Sequence, residues 1–130
     1  MDSKMRILIA LFFLPSLAFC QTNKKRVDSS ELQLKMFASE MFYKEQLNIV
    51  DSGVERKSID YFSSKYFQES NYSQAAIEEI IDYSTKQAHK DFFSDERGKC
   101  LCYPASLLFF KSDKLDKKVK SLRKYLNLNY

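Results

Sequence analysis

The residues best suited to chemistry in this sequence are two cysteines one residue apart, Cys100 and Cys102, and the single histidine, His89. A structural zinc ion takes about four nitrogen or sulfur ligands, usually in spaced pairs. These side chains supply three ligands at most, so the sequence predicts no metal site. A nucleophilic cysteine would need an oriented base and an oxyanion site. Cys100 and His89 stand in no motif that supplies either, so we expect no catalytic residues and no enzymatic activity.

The two cysteines could instead pair with each other. A disulfide between Cys100 and Cys102 would persist in an oxidising compartment. The preferred Cα separation of roughly 5.5–6 Å must then be reached within three residues. Two free, partly buried thiols and a disulfide between two chains are the alternatives. The spacing leaves all three open, and the choice depends on the compartment in which the protein resides.

The N-terminal residues have the pattern of a secretory signal peptide. A short basic start and an apolar core over 7–14 precede a small-residue end. This core is shorter than the roughly 20 residues that span a bilayer. Cleavage after Cys20 would release a free periplasmic protein, whereas acylation of Cys20 would anchor it to a membrane. We predict export to the periplasm, with a signal peptide over 1–20 and a flexible leader over 21–29.

The composition of the chain predicts an all-α fold. Residues 30–130 are enough for one domain with a modest core. The chain has only two glycines and two prolines, and this scarcity of turn residues favours helices joined by short loops. We expect a single compact bundle of about five helices. The net charge of +4 is a mild excess, and no glycine-rich phosphate loop is present, so we expect no nucleic-acid partner and no cofactor.

Three helices are predicted before residue 91. Ser30 and Gln33 have the spacing of a capping box, which predicts a first helix from there to about residue 48. A second helix is predicted over 54–68, and Ser73 is suited to cap a third. The first helix would bury Leu34, Phe37, Met41 and Phe42. The inner face of the third would consist of Ile77, Ile80, Ile81, Ser84 and Ala88.

Two short helices are predicted at the C-terminal end. Pro104 suits the first turn of a buried helix over 105–111. Ser112 is suited to cap the last helix. That helix would bury Leu115, Val119, Leu122 and Leu126. Its opposite face is rich in lysine, and we interpret that face as solvated surface.

Two segments, 61–87 and 98–122, resemble a known protein family. They read YFSSKYFQESNYSQAAIEEIIDYSTKQ and GKCLCYPASLLFFKSDKLDKKVKSL. Their order of motifs is similar to that of the periplasmic immunity proteins against type VI secretion peptidoglycan amidases, specifically the fourth amidase-immunity class. The matching positions are Ala76, Ile77, Ile80, Ile81, Tyr83, Gly98, Phe110, Ser112, Leu115 and Val119.

The resemblance implies a helical protein, usually a homodimer, that blocks the cleft of a secreted amidase with a papain-like Cys–His site. The family's plugging loop corresponds here to Lys90, Asp91, Phe92, Phe93, Ser94, Asp95, Glu96 and Arg97. Phe92 and Phe93 would be interface anchors. Asp95 and Glu96 would pair with a cationic cleft or lie near the toxin's histidine. The alternative is that one phenylalanine belongs to the core and that the charges are solvated.

The sequence departs from the family at a disulfide. Family members carry one between the first helix and the penultimate one. The corresponding positions here are Ala38 and Ser106, so both cysteines are missing together. Cys100 and Cys102 lie upstream of the family's position and cannot be assigned to it.

These observations predict a periplasmic immunity protein that binds and blocks a secreted cell-wall amidase and has no catalytic activity of its own. Membrane association is expected only if Cys20 is acylated. The alternative function, from a different class, is a small helical envelope lipoprotein that acts as a scaffold or interaction module.

Overall fold

The computed structural model describes residues 3–50, 65, 71–93 and 100–127, and the side chains of the first helix from residue 24 onward. The all-α fold class is confirmed. The described residues form four α-helices rather than the five predicted: α1 (Ser3–Val50), α2 (Gln74–Lys90), α3 (Cys102–Phe110) and α4 (Asp113–Ser121). A 3₁₀ turn, Arg123–Tyr125, follows α4. The helix predicted over 54–68 lies outside the described residues, apart from Lys65, which is helical.

The first helix begins far upstream of its predicted start. Ser30 is buried inside α1, so the predicted capping box at Ser30 and Gln33 is wrong. The hydroxyl of Ser30 instead accepts a hydrogen bond from the Asn71 side-chain nitrogen at 3.1 Å. A serine inside a helix can do this because its own backbone groups are already paired along the helix. Ser30 and Gln33 therefore match the capping pattern, but Ser30 makes a tertiary contact with Asn71 instead of capping a helix.

The same helix covers residues 21–29, where the sequence predicts a flexible leader. Lys24, Lys25 and Arg26 are exposed on it. Helix also covers 3–20, the predicted signal peptide. Cleavage is a property of processing rather than of conformation, so the signal peptide remains a prediction.

All four helices contribute to one hydrophobic core. Phe42 of α1 is fully buried and stacks on Phe109 of α3, with ring centroids 4.5 Å apart. The predicted inner faces of α1, α2 and α4 are largely confirmed, although Met41, Ile81 and Leu126 are only partly buried and Leu126 lies beyond the end of α4. The buried residues at the predicted positions are Leu34, Phe37, Phe42, Ile77, Ile80, Ser84, Ala88, Leu115, Val119 and Leu122. Full burial of a side chain such as Phe42 stabilises the fold by about 1.5–3 kcal/mol.

The predicted caps of α2 and α4 coincide with the observed helix starts. Ser73 is the N-cap of α2, although its side chain makes no capping bond. The Ser112 hydroxyl accepts a hydrogen bond from the backbone N–H of Leu115 at 3.3 Å. Pro104 lies in the first turn of α3, as predicted, but the helix begins at Cys102 rather than at residue 105.

The start of α2 and the C-terminal end are joined by backbone hydrogen bonds. The Ser73 N–H donates to the Tyr125 carbonyl at 3.0 Å, and the Asn127 N–H donates to the Asn71 carbonyl at 2.8 Å. Lys35 of α1 forms an ion pair with Asp116 of α4 at 2.7 Å. These contacts fix the end of the chain against α1 and α2.

Candidate protein-binding surface

The predicted plugging segment begins where α2 ends. Lys90 is the last residue of α2, and Asp91 caps it by donating its N–H to the Gln87 carbonyl at 2.9 Å. Of the predicted segment, Lys90, Asp91, Phe92 and Phe93 are described, whereas Ser94, Asp95, Glu96 and Arg97 lie outside the described residues. The Leu101 N–H donates to the Phe93 carbonyl at 3.2 Å. The two ends of the connection from α2 to α3 are therefore held together.

A buried glutamine of α1 holds the end of α2 in place. The side-chain nitrogen of Gln46 donates to the carbonyls of Ala88 at 3.0 Å and Asp91 at 3.2 Å. The last carbonyls of a helix have no partner within it. Gln46 supplies one from a neighbouring helix, and it thereby fixes the backbone two residues before Phe93. Sequence reasoning missed this residue, although a polar residue on an otherwise apolar stripe could have indicated it.

The two predicted aromatic anchors differ in exposure. Phe92 is partly buried and packs against a small cluster formed by Leu47 and Cys102. Phe93 is 65% exposed. Adjacent residues in irregular backbone commonly point to different sides. Phe93 is therefore the one of the pair that offers apolar area to a partner.

The outer face of α3 is exposed and apolar, contrary to the prediction of a buried helix. Tyr103 is 61% exposed and Leu108 is 73% exposed, and Leu101 and Leu107 are also exposed. Only Cys102, Ser106 and Phe109 of this helix are buried. The prediction is wrong because the core covers one side of α3 only. A helix that is apolar all round normally has both sides covered.

Phe93 and the outer face of α3 border the same groove. The groove has a volume of about 240 Å³. Its lining residues are Asp91, Phe93, Ala105, Leu108, Phe109, Ser112 and Lys114. The two charged residues of the lining have opposite signs. This combination of an apolar floor and a charged rim is typical of the centre of a protein–protein interface.

The residues best suited to chemistry, Cys100, Cys102 and His89, are not among the residues that line this groove. Cys100 and Cys102 are joined by a disulfide, with Cα atoms 5.1 Å apart, within the roughly 4.4–6.8 Å range usual for disulfides. His89 is exposed, and its Nε2 lies 2.8 Å from a carboxylate oxygen of Glu45. Within the described part of the chain, no group of three or more His, Cys, Asp or Glu residues could hold a metal ion.

The predicted acylation site, Cys20, lies within α1. Its side chain is not among those described. Among the described residues, no helix combines the length and the apolar character needed to cross a membrane.

Comparison of the chain with protein-family models, curated proteins and solved structures finds no match in any of the three. The exposed surface and the sequence resemblance are therefore the features that bear on function.

Proposed function

We propose that this protein is a periplasmic immunity protein that binds a secreted cell-wall amidase and blocks its active-site cleft without catalysing a reaction. The observation that carries the proposal is the exposed Phe93 beside Leu108, at the base of the connection from α2 to α3. A contiguous patch of exposed apolar side chains beside a groove marks a protein-interaction site. The segment that the resemblance assigns to plugging starts at this groove.

A second observation supports the same family. The family's disulfide positions correspond to Ala38 and Ser106, which are both buried in this structure. The hydroxyl of the adjacent Ser39 donates to the Ser106 carbonyl at 3.1 Å. The two positions therefore lie at one interface between α1 and α3, as a lost α1–α3 disulfide requires.

Occlusion requires that the blocking segment keep its shape while it enters a cleft. Gln46 holds the carbonyl of Asp91, and the hydrogen bond from Leu101 to Phe93 joins the two described residues on either side of the connection, which lowers the entropy cost of binding. Phe93 would fill an apolar subsite of the amidase. Asp95 and Glu96 would then pair with a cationic part of the cleft or lie near the toxin's histidine, as the resemblance implies.

The first test is whether the gene adjacent to this protein's own gene encodes a Cys–His amidase, which is then used in the binding assay. The wild-type protein should bind that amidase and protect cell-wall fragments from cleavage. The double variant Phe93→Ala/Leu108→Ala should weaken binding at least about tenfold, because each truncation removes an anchor. Leu32→Ala is the matched control, since Leu32 is 50% exposed and lines neither groove described for this protein.

Circular dichroism shows whether each variant keeps its helicity. Failure of the wild-type protein to bind or inhibit the amidase would refute the proposal. Equal inhibition by wild type and double variant would place the binding site on another surface. The alternative function, an envelope lipoprotein scaffold, predicts palmitate labelling that is lost when Cys20 is replaced.

A further inference from the structure

A second groove borders α3, between that helix and α1. It has a volume of about 210 Å³ and is lined by Met36, Ser39, Glu40, Leu107 and Phe110. Among the described residues, it shares no lining residue with the groove beside Phe93. Leu107 and Leu108, adjacent on the outer face of α3, each border one of the two grooves. A partner lying across α3 would therefore reach both.

Glu40 is a half-buried carboxylate in this groove. Among the described residues it has neither a hydrogen bond nor an ion pair. Lys35, on the same helix, is paired with Asp116 instead. Lys44, one helical turn from Glu40, forms no ion pair with it and has other contacts. Burial raises the pKa of the Glu40 carboxyl, and no neighbouring cation opposes that effect. The loss of water around this carboxylate is therefore uncompensated within the described structure.

The other groups that line the groove determine which ligand group could compensate the desolvation of the Glu40 carboxylate. Met36, Leu107 and Phe110 form apolar walls. The Ser39 hydroxyl uses its hydrogen in the bond to Ser106, so only its lone pairs remain to accept a further bond. Among the described residues of the lining, the polar atoms are thus acceptors beside an apolar wall. The Lys35 ammonium, which is paired with Asp116, lies 4.8 Å from the centre of the Phe110 ring. The complementary group is a cationic donor on an aliphatic stem.

We propose that this groove receives a lysine or arginine side chain from a separate protein partner. The aliphatic stem packs against Met36 and Leu107, and the cation meets the Glu40 carboxylate. Arginine fits best, because its several N–H groups can bond to Glu40 and Ser39 together. A free metal ion or ammonium ion would leave the apolar walls uncovered, so the stem is part of the recognition.

The test uses the whole protein and a small probe, so it is independent of the amidase proposed above. N-acetyl-arginine N-methylamide is titrated against protein labelled with carbon-13 at the methionine methyl groups, and the Met36 signal is followed by NMR. The neutral comparison is N-acetyl-norleucine N-methylamide. Met41 is the internal control, because it packs against the main core and does not line the groove.

We expect a saturable shift of the Met36 signal with the arginine probe, at millimolar concentrations and weakened by added salt. Glu40→Gln keeps the shape and removes the charge, so it should weaken this binding at least about tenfold. The matched control Glu78→Gln changes an exposed glutamate on α2 and should leave binding unchanged.

Four results would overturn the proposal. The first is a Met36 signal that does not respond to the arginine probe. The second is an equal response to the norleucine probe. The third is an unchanged affinity in Glu40→Gln. The fourth comes from sedimentation: a wild-type dimer that Glu40→Gln dissociates would show that a second copy of this chain fills the groove. Each of these can occur whether or not the protein inhibits an amidase.

Discussion

Replacing Gln46 by glutamate should make the stability of this protein strongly pH-dependent. Gln46 has no solvent exposure, and its nitrogen donates to the carbonyls of Ala88 and Asp91. Its side-chain oxygen has no hydrogen-bond partner. A carboxylate in the same place would direct one acceptor oxygen at both carbonyls in a buried site. A protonated carboxyl could still donate one hydrogen bond.

The size of the effect follows from the cost of keeping that carboxyl protonated. A glutamate in the unfolded chain has a pKa of about 4.3, so protonating it at pH 7 costs about 3.7 kcal/mol. The loss of one of the two hydrogen bonds adds about 1 kcal/mol. We therefore expect Gln46→Glu to lower the free energy of unfolding by about 4–5 kcal/mol at pH 7. The folded-state pKa of the new carboxyl is raised, so the deficit should shrink to about 1 kcal/mol near pH 4.

The assay is urea unfolding followed by far-UV circular dichroism at both pH values. Gln74→Glu is the matched control, because Gln74 is exposed at the start of α2 and should change stability by less than about 0.5 kcal/mol. A deficit of the same size at both pH values would show that the new carboxyl does not titrate at a buried site. No deficit at pH 7 would show that Gln46 is not the buried donor that holds the end of α2.

Two further predictions concern the α1–α3 interface and the buried tyrosine at the start of α2. Ala38→Cys/Ser106→Cys should form a disulfide between the two new cysteines under oxidising conditions. It should raise the free energy of unfolding by up to about 4 kcal/mol, the loop-closure value for this separation. If mass spectrometry finds both new cysteines as free thiols, the proposed correspondence of these positions is wrong. Burial and the nearby Glu31 carboxylate raise the pKa of Tyr72 to about 12, against the opposing charge of Arg123. The folded protein should therefore lose about 1 kcal/mol of stability between pH 9 and pH 11 through this residue, a loss that Tyr72→Phe should remove in urea titrations at the two pH values.

The sequence predicted α2 and α4 well because each has one apolar and one charged face. In α2 the buried Ile77 and Ile80 stand against the exposed pair of Lys86 and Asp82, whose charged atoms are 2.8 Å apart. A helix with one apolar and one charged face can pack on a core in only one orientation, with the apolar face inward. The start of α1 was not predictable on the same basis. Ser30 matches a four-residue capping pattern, and nothing local distinguishes a capping hydroxyl from one that bonds to a distant Asn71.

The candidate site was predictable only in part. The resemblance directed attention to Lys90–Arg97, but the choice between Phe92 and Phe93 depends on backbone direction in an irregular segment. Glu40 looks like any polar residue of a helix in the sequence. Its position in a groove is set by the way α3 lies on α1, which is a tertiary contact that periodicity does not encode.

The burial of α3 could not be predicted from its composition, because its outer face is apolar and yet exposed. Cys102–Phe110 is a run of nine residues with no charge. Such a run has the pattern of a core helix whether its outer side is covered by the core or by a partner. Here Phe109 and Ser106 use the side that faces α1, while Leu107 and Leu108 remain exposed between two grooves. An isolated exposed leucine needs no explanation, but a contiguous apolar face marks an interaction site. The same apolar character that anchors α3 to the core therefore also leaves the exposed face on which the proposed binding of a partner depends.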